Sequence, residues 1–152
     1  RAGRSKAEGE VIIQTYNEKH FVLRKVLEND YKGFYAKEKA DRENMGYPPF
    51  TRIALIETKD TSMDKAKGAA YDFYKEIIKY KNYLKISDPT TAQIFKLLNN
   101  FRYHILIKST KENDPGGAIL RKAILEAWTE FNKKSRYKDV KLFYDVDPQS
   151  IM

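Results

Sequence analysis

Apolar residues in the first third of the chain follow a strand pattern and then a helical one. Residues 10–15 form a short apolar run that predicts a buried strand. Apolar residues then recur at helical spacing over 18–29, and a second helical stretch covers 30–45. The segment 46–50, Gly-Tyr-Pro-Pro-Phe, ends that helix because paired prolines remove backbone donors and favour extended backbone. We therefore place a domain boundary here.

The pattern beyond this boundary alternates between strands and helices in the order βαββαβ. Ser62 is the predicted N-cap of the first helix, and Asp-Pro-Gly-Gly at 114–117 opens the second. An irregular connection is expected at 88–92. The order is typical of a ferredoxin-like α+β sandwich, with two helices on one face of an antiparallel sheet. The predicted strands are 51–58, 84–87, 103–109 and 140–146.

Composition restricts the classes of protein to which the chain can belong. Of its 152 residues 41% are apolar and 13% aromatic, which is typical of a folded domain. The absence of Cys excludes disulfides and thiolate zinc sites within these residues. The apolar runs fall far short of the about 20 residues that cross a bilayer, so we expect no membrane partner. The chain begins with Arg and shows no secretion signal, so a cytoplasmic location is expected.

Charge indicates a polyanionic partner. Lys and Arg number 29 against 21 Asp and Glu, giving a formal net charge of +8. No acidic residue lies between Asp88 and Glu112, whereas Lys96, Arg102 and Lys108 lie there among Phe and Tyr residues. Cations that grip phosphates beside rings that stack on bases are typical of contact with single-stranded or forked DNA. The alternative is that the aromatic residues belong to the core and the cations to its solvated edge.

Two short motifs at the ends of the chain also carry candidate chemistry. Arg1 and Arg4 are separated by small residues and could place two guanidinium groups on adjacent phosphate oxygens; the alternative is a solvated basic tail. Asp145 and Asp147 could bind Mg²⁺ or act as a base, although a solvent-facing strand end explains them more simply. His104 has no partner at a motif spacing, which favours a surface or core role.

Five motifs in one order resemble the C-terminal part of the primosomal protein N′ (PriA) family of replication-restart helicases. The resemblance covers essentially the whole chain. It implies the end of helicase lobe 2 at 1–17, a helical linker at 18–49 and a ribosomal-protein-like α/β domain at 50–152. The motifs are Arg-Ala-Gly-Arg at 1–4, Gly-Glu-Val-Ile-Ile-Gln-Thr-Tyr-Asn at 9–17, Asp-Tyr with Phe-Tyr between 30 and 35, Met-Gly-Tyr-Pro-Pro-Phe-Thr-Arg at 45–52, and Asp-Val-Asp-Pro at 145–148.

The resemblance also implies an activity and a set of cofactors. The family is an ATP-dependent 3′ to 5′ DNA helicase that recognises branched DNA and restarts stalled replication forks. Arg1 and Arg4 would be the motif VI arginines that contact the ATP phosphates. The lysine and carboxylates that bind ATP and Mg, and the cysteines that bind zinc, would lie outside this chain. We therefore expect the fragment alone to bind no cofactor and to be inactive.

The partners implied by the resemblance are forked or single-stranded DNA, the single-stranded-DNA-binding protein and other primosome proteins. Lys96 and Arg102 match a lysine and an arginine of the family pattern and, with Lys108, are the DNA-contact candidates. Arg121 is the candidate to pair with the acidic tail of the single-stranded-DNA-binding protein. Two other readings of the residues stay open: a stand-alone ferredoxin-like module that binds nucleic acid or the ribosome without enzymatic activity, and a protein-interaction domain.

Overall fold

A computed structural model describes residues 11–149, and the contacts within the chain divide it into two units between residues 40 and 41. The first unit contains helix α1, Phe21–Leu27, and most of helix α2, Tyr31–Met45. Helix α1 ends where Asn29 adopts a left-handed backbone with φ of 53°. The ring centroids of Phe21 and Phe34 lie 6.2 Å apart in a stacked arrangement, which joins the two helices.

The predicted strand at 10–15 is not a strand in this structure. Residues 11–15 have irregular backbone, and the side chains of Val11 and Ile12 are 75% and 85% exposed. Glu10 lies outside the described residues. The reason is physical: a strand needs a neighbouring strand for its backbone hydrogen bonds, and none of the described residues supplies one to this segment. The assignment of 1–17 to a helicase lobe stays a prediction.

The second unit is an antiparallel sheet with two helices, which confirms the predicted α+β, ferredoxin-like class. In the sheet, β5 lies beside β1, β1 beside β4, and both β2 and β3 pair with the far edge of β4. Two short 3₁₀ turns follow the helices, at Ile78–Tyr80 and Ser135–Tyr137. The main elements are β1 (Thr51–Asp60), α3 (Met63–Ile77), β2 (Lys85–Ile86), β3 (Thr90–Leu97), β4 (Asn100–Thr110), α4 (Ala118–Asn132) and β5 (Lys141–Val146).

The sequence pattern predicted an irregular connection at 88–92, and this prediction is wrong from residue 90 onward, where strand β3 (Thr90–Leu97) begins. The strand forms a hairpin with β4 through Leu98 and Asn99, which both have positive φ, as a two-residue turn of this kind requires. The pairing shifts register between Thr91 and Lys96. A bulge of this kind breaks the alternation of apolar and polar residues, so periodicity alone does not reveal the strand.

The core lies between one face of the sheet and both helices. Ser62 caps α3, as predicted, with its hydroxyl accepting from the Lys65 N–H. Helices α3 and α4 bury their apolar stripes against alternate residues of β1 and β4, so the other residues of these strands lie on the opposite face. Neither α3 nor α4 covers that face, and we call it the helix-free face. The buried cluster includes Ala54, Ile56, Ala69, Phe73, Ile77, Ile105, Ile107, Leu120, Ala123, Ile124, Ala127 and Phe131.

Candidate nucleic-acid interface

The register of β1 and β4 brings several charged residues together on the helix-free face. Ile56 and Ile105 are paired partners in the core, so their neighbours Glu57 and His104, which pair with each other, lie on the other face. Arg102 lies two residues before His104 on β4 and pairs with Lys59 of β1. Lys108 lies towards the opposite end of β4. Two of the predicted DNA-contact residues are therefore on this face.

Glu57 is the centre of a buried charged group. Its Oε2 atom accepts from Arg102 Nε at 2.9 Å and NH2 at 2.6 Å, and it lies 2.8 Å from His104 Nε2. Burial alone would raise the pKa of Glu57, but the hydrogen bonds from His104 and Arg102, with the guanidinium charge, outweigh it and lower the pKa to about 2. An ionised carboxylate only accepts, so His104 Nε2 carries the hydrogen of this contact.

This geometry gives Arg102 a role within the fold, and its predicted contact with DNA stays a prediction. The residue is 9% exposed, and its guanidinium is held by the Glu57 carboxylate, with a further bond to the carbonyl of Ile94. A cation that is buried and neutralised in this way offers less of its charge to a phosphate. Arg102 ties β1 to the β3–β4 hairpin.

Lys96 lies exposed on that hairpin, with its ammonium 4.9 Å from the centroid of the Phe101 ring. Phe95 and Phe101, both partly buried, pack on Tyr103 in a small cluster with alanines of α3, and stacking of DNA bases on these rings stays a prediction. The alternative held open for the aromatic residues, that they belong to the core, fits this packing. Lys96 itself remains accessible to a ligand.

Lys108 is half-buried at the other end of the face. Its Nζ donates to the carbonyl of Met45 at 2.9 Å and lies 4.1 Å from the centroid of the Tyr47 ring. Burial and the nearby charge of Lys85 lower the pKa of Lys108. Sequence reasoning missed Lys85, because only the register of β2 and β4 brings it opposite Lys108.

Arg121 lies at a second feature, a groove of about 500 Å³ between α4 and β5. Its NH1 atom donates to the carbonyl of Gly116, and Arg52, which also lines the groove, donates to the carbonyls of Asp114 and Pro115. Sequence reasoning also missed Arg52, although it ends the motif at 45–52. The apolar wall consists of Leu120, Ile124, Leu125, Trp128, Tyr144 and Val146.

The acidic pair at the end of β5 has a structural role at one of its two members. Asp147 Oδ1 accepts from the Ile53 N–H at 2.9 Å, and the Asp147 N–H donates to the Ile53 carbonyl, which fixes the end of β5 against β1. Within residues 11–149 no group of three or more His, Asp or Glu residues has the arrangement of a metal site. Arg1 and Arg4 lie outside the described residues.

Comparison with known proteins identifies the family. A family model described as the primosomal protein N C-terminal domain matches residues 43–149. The chain belongs to this family. The residues matched to the primosomal protein N C-terminal domain include every strand of the described structure, together with the half-buried Lys108 and the groove at Arg121. No helix in the described range has the length and apolar content that crossing a membrane requires.

Relatives from three bacteria show the same similarity over much of the chain. The replication restart protein PriA of Haemophilus influenzae is 33% identical over 155 residues, which cover 99% of this chain and 20% of that protein. Its counterpart in Bacillus subtilis is 31% identical over 160 residues, covering 100% of this chain and 18% of that protein. The replication restart protein PriA of Thermotoga maritima is 35% identical over 102 residues, which cover 67% of this chain and 13% of that protein. The chain thus spans a fifth or less of these relatives.

Proposed function

We propose that the chain is the C-terminal part of an ATP-dependent 3′ to 5′ DNA helicase that recognises branched DNA and restarts stalled replication forks. The observation that carries this proposal is the family match over residues 43–149, supported by relatives named replication restart protein PriA. The cellular setting that follows is the cytoplasm, with other primosome proteins as partners.

The DNA-binding role rests on the lysines of the helix-free face and the hairpin. Lys96 and Lys108 contact DNA phosphates, while Arg102 positions the hairpin that carries Lys96. The test is binding of forked DNA, single strands and structured RNA as salt is raised. We expect the fork to bind best, with affinity falling steeply with salt because phosphate contacts release counterions. A flat salt dependence, or a preference for structured RNA, would contradict this role.

The catalytic contribution of the chain lies in Arg1 and Arg4, which would contact the ATP phosphates in the complete helicase. In the complete helicase ATP and Mg would supply the phosphoryl-transfer chemistry, and zinc would be bound by cysteines outside this chain, which has no Cys. In the full-length protein, Arg4→Ala should lower ATP turnover by about a thousandfold while nucleotide binding changes little. Lys6→Ala, a neighbouring loss of positive charge, is the control. Equal turnover in Arg4→Ala and the parent removes the assignment.

The groove at Arg121 is proposed to bind the acidic, aromatic tail of the single-stranded-DNA-binding protein. Its two guanidiniums suit carboxylates, and its apolar wall suits an aromatic side chain. Arg121→Ala should weaken binding of a labelled tail peptide by about tenfold, a loss typical of one charged hydrogen-bonding contact. Lys122→Ala is the matched control, because Lys122 is the next residue of α4 and pairs with Glu126 instead. Equal losses in both variants would reduce the effect to net charge.

A further inference from the structure

A second groove, which we call the lysine groove, lies where β1 and β4 meet the segment before β1. Its volume is about 500 Å³. It lies within the second unit, on the helix-free face of the sheet. Its lining residues include Met45, Pro49 and Phe50 as an apolar wall, Lys85, Lys108 and Lys111 as cations, and Thr110 between them.

Lys85 and Lys108 are directly paired across β2 and β4. Their neighbours Ile86 and Ile107 face the core, so both lysines point to the helix-free side. Like charges directly opposite one another in a sheet repel and destabilise it. Other lysines of the chain, such as Lys79 and Lys133, pair with carboxylates one turn away. Among residues 11–149, no carboxylate within 4.0 Å neutralises Lys85, Lys108 or Lys111.

Lys108 is held in place rather than left to move with the solvent. One of its three ammonium donors goes to the Met45 carbonyl, and the Tyr47 ring lies beneath it. The other two donors are free to bind an anion that enters between Lys108 and Lys85. Burial and then the charge of Lys85 lower the pKa of Lys108.

Thr110 supplies an independent sign of a missing partner. Its hydroxyl oxygen is buried, and it is the one such side-chain atom without a hydrogen bond in the described part of the chain. A buried hydroxyl without a partner destabilises a fold. Because Thr110 lines the lysine groove, a small rotation of its side chain would direct this donor to an anion, with no existing hydrogen bond lost.

The charge of the lining indicates which anion fits. Three lysines and two carboxylates, Glu43 and Glu112, line the groove, a formal sum of +1. This sum matches a singly charged phosphodiester better than a polyphosphate, which the carboxylates would repel. The apolar wall suits the sugar or base beside such a group. We propose that the lysine groove binds one phosphodiester of a DNA strand through Lys85, Lys108, Lys111 and Thr110, a site that rests on the proposed function.

The test compares Lys85→Gln and Lys108→Gln in the 152-residue chain, with an oligothymidylate as the probe. Glutamine keeps a donor but removes the charge. Each variant should bind about tenfold more weakly than the parent, and the slope of log affinity against log salt should fall by about 0.7 for each lysine removed. Lys67→Gln is the matched control, since Lys67 is exposed on α3 on the other side of the sheet. It should bind like the parent.

Thermal unfolding without DNA separates lost binding from lost folding. Lys85→Gln removes a repulsive pair, so its melting temperature should equal or exceed that of the parent. Lower affinity together with undiminished stability supports the site. If both variants bind DNA like the parent, the lysine groove is overturned together with the DNA contact proposed for Lys108, while the contact proposed for Lys96 and the proposed helicase function stand.

If the parent chain itself binds no DNA, the proposed DNA-binding role is overturned instead. Titration with dimethyl phosphate, followed by NMR, would then decide the lysine groove by itself. Chemical shift changes confined to Lys85, Lys108 and Thr110 would support it, with a weaker response to pyrophosphate. An absence of shifts at these residues would overturn it.

Discussion

The two ends of β4 handle positive charge in opposite ways on the same face of the sheet. At one end, Arg102 and His104 converge on a single oxygen of Glu57. At the other end, Lys108 faces Lys85, and no carboxylate of the described structure lies within 4.0 Å of either ammonium. The first group, which we call the sealed end, is largely buried and paired, whereas the lysines at the other end line a groove.

The difference shows that the degree of burial determines whether a cation must be paired within the fold or can stay available to a ligand. An arginine side chain that is only 11% exposed, like that of Arg102, needs a partner for its charge, because an unpaired guanidinium there would lose hydration that nothing replaces. An ammonium at the edge of a groove keeps part of its hydration, so it is tolerated without a carboxylate partner and is available to bind a ligand. The same strand therefore serves the fold at one end and, in our proposal, binds a ligand at the other.

The largest expected effect tests the sealed end. Glu57→Ala leaves Arg102 and His104 buried without their shared acceptor, so the free energy of unfolding should fall by about 3 kcal/mol. Urea denaturation measures the change. Glu112→Ala removes the same charge from the lysine groove and should cost under about 0.5 kcal/mol, since no carboxylate–lysine pair is broken. Similar losses in both variants would break the comparison.

Acid should reveal the same group in the unmodified chain. The pKa of Glu57 in the fold is about 2, against a usual value of 4.5. Its stabilisation is therefore complete above pH 4.5, declines as the pH falls below this value and is lost near pH 2, with at most about 3 kcal/mol involved. Unfolding free energies measured from pH 6 to pH 2 test this. Glu57→Gln should flatten the profile in this window, and an unchanged profile would contradict it.

Asp114 is a buried carboxylate that is stabilised by hydrogen bonds from neutral donors rather than by a cation. It is 3% exposed, and it accepts from the N–H groups of Ile119 and Leu120 and from the Ser109 hydroxyl. Burial would raise the pKa of Asp114, but the hydrogen bonds from Leu120, Ile119 and Ser109 outweigh it and the pKa is lowered. Backbone donors at a helix start thus replace the guanidinium that Glu57 uses.

Asp114→Ala should therefore cost about 2 kcal/mol, between the effect at Glu57 and that of an exposed charge. Thermal and urea unfolding provide the measurement. Asp64→Ala, which removes an exposed carboxylate from the first turn of α3, should cost under about 1 kcal/mol as a loss of helix-dipole interaction alone. Equal costs at the two positions would show that burial of the carboxylate adds nothing.

Sequence patterns predicted the helices and the main strands because their periodicity is local. They could not assign Arg102 to the fold, since its partner Glu57 is 45 residues away and is set beside it only by the β1–β4 register. Lys85 escaped notice for the same reason. Strand β3 was missed because its bulge hides the alternation, and because its turn uses Leu98 and Asn99 rather than glycine. Charge alone therefore indicates a basic surface, while register decides which cations remain available.

The smallest expected effect separates pairing from burial. Glu130 and Lys133 form an ion pair at 2.6 Å, as close as that of Glu57 with Arg102, but their side chains are 47% and 65% exposed. A double-mutant cycle on this pair should give a coupling free energy of about 0.3 kcal/mol, because water screens both charges before and after folding. Raising the salt concentration should reduce even this value. A coupling above about 1 kcal/mol would mean that proximity alone stabilises an ion pair, and the contrast between the two ends of β4 would then lose its physical basis.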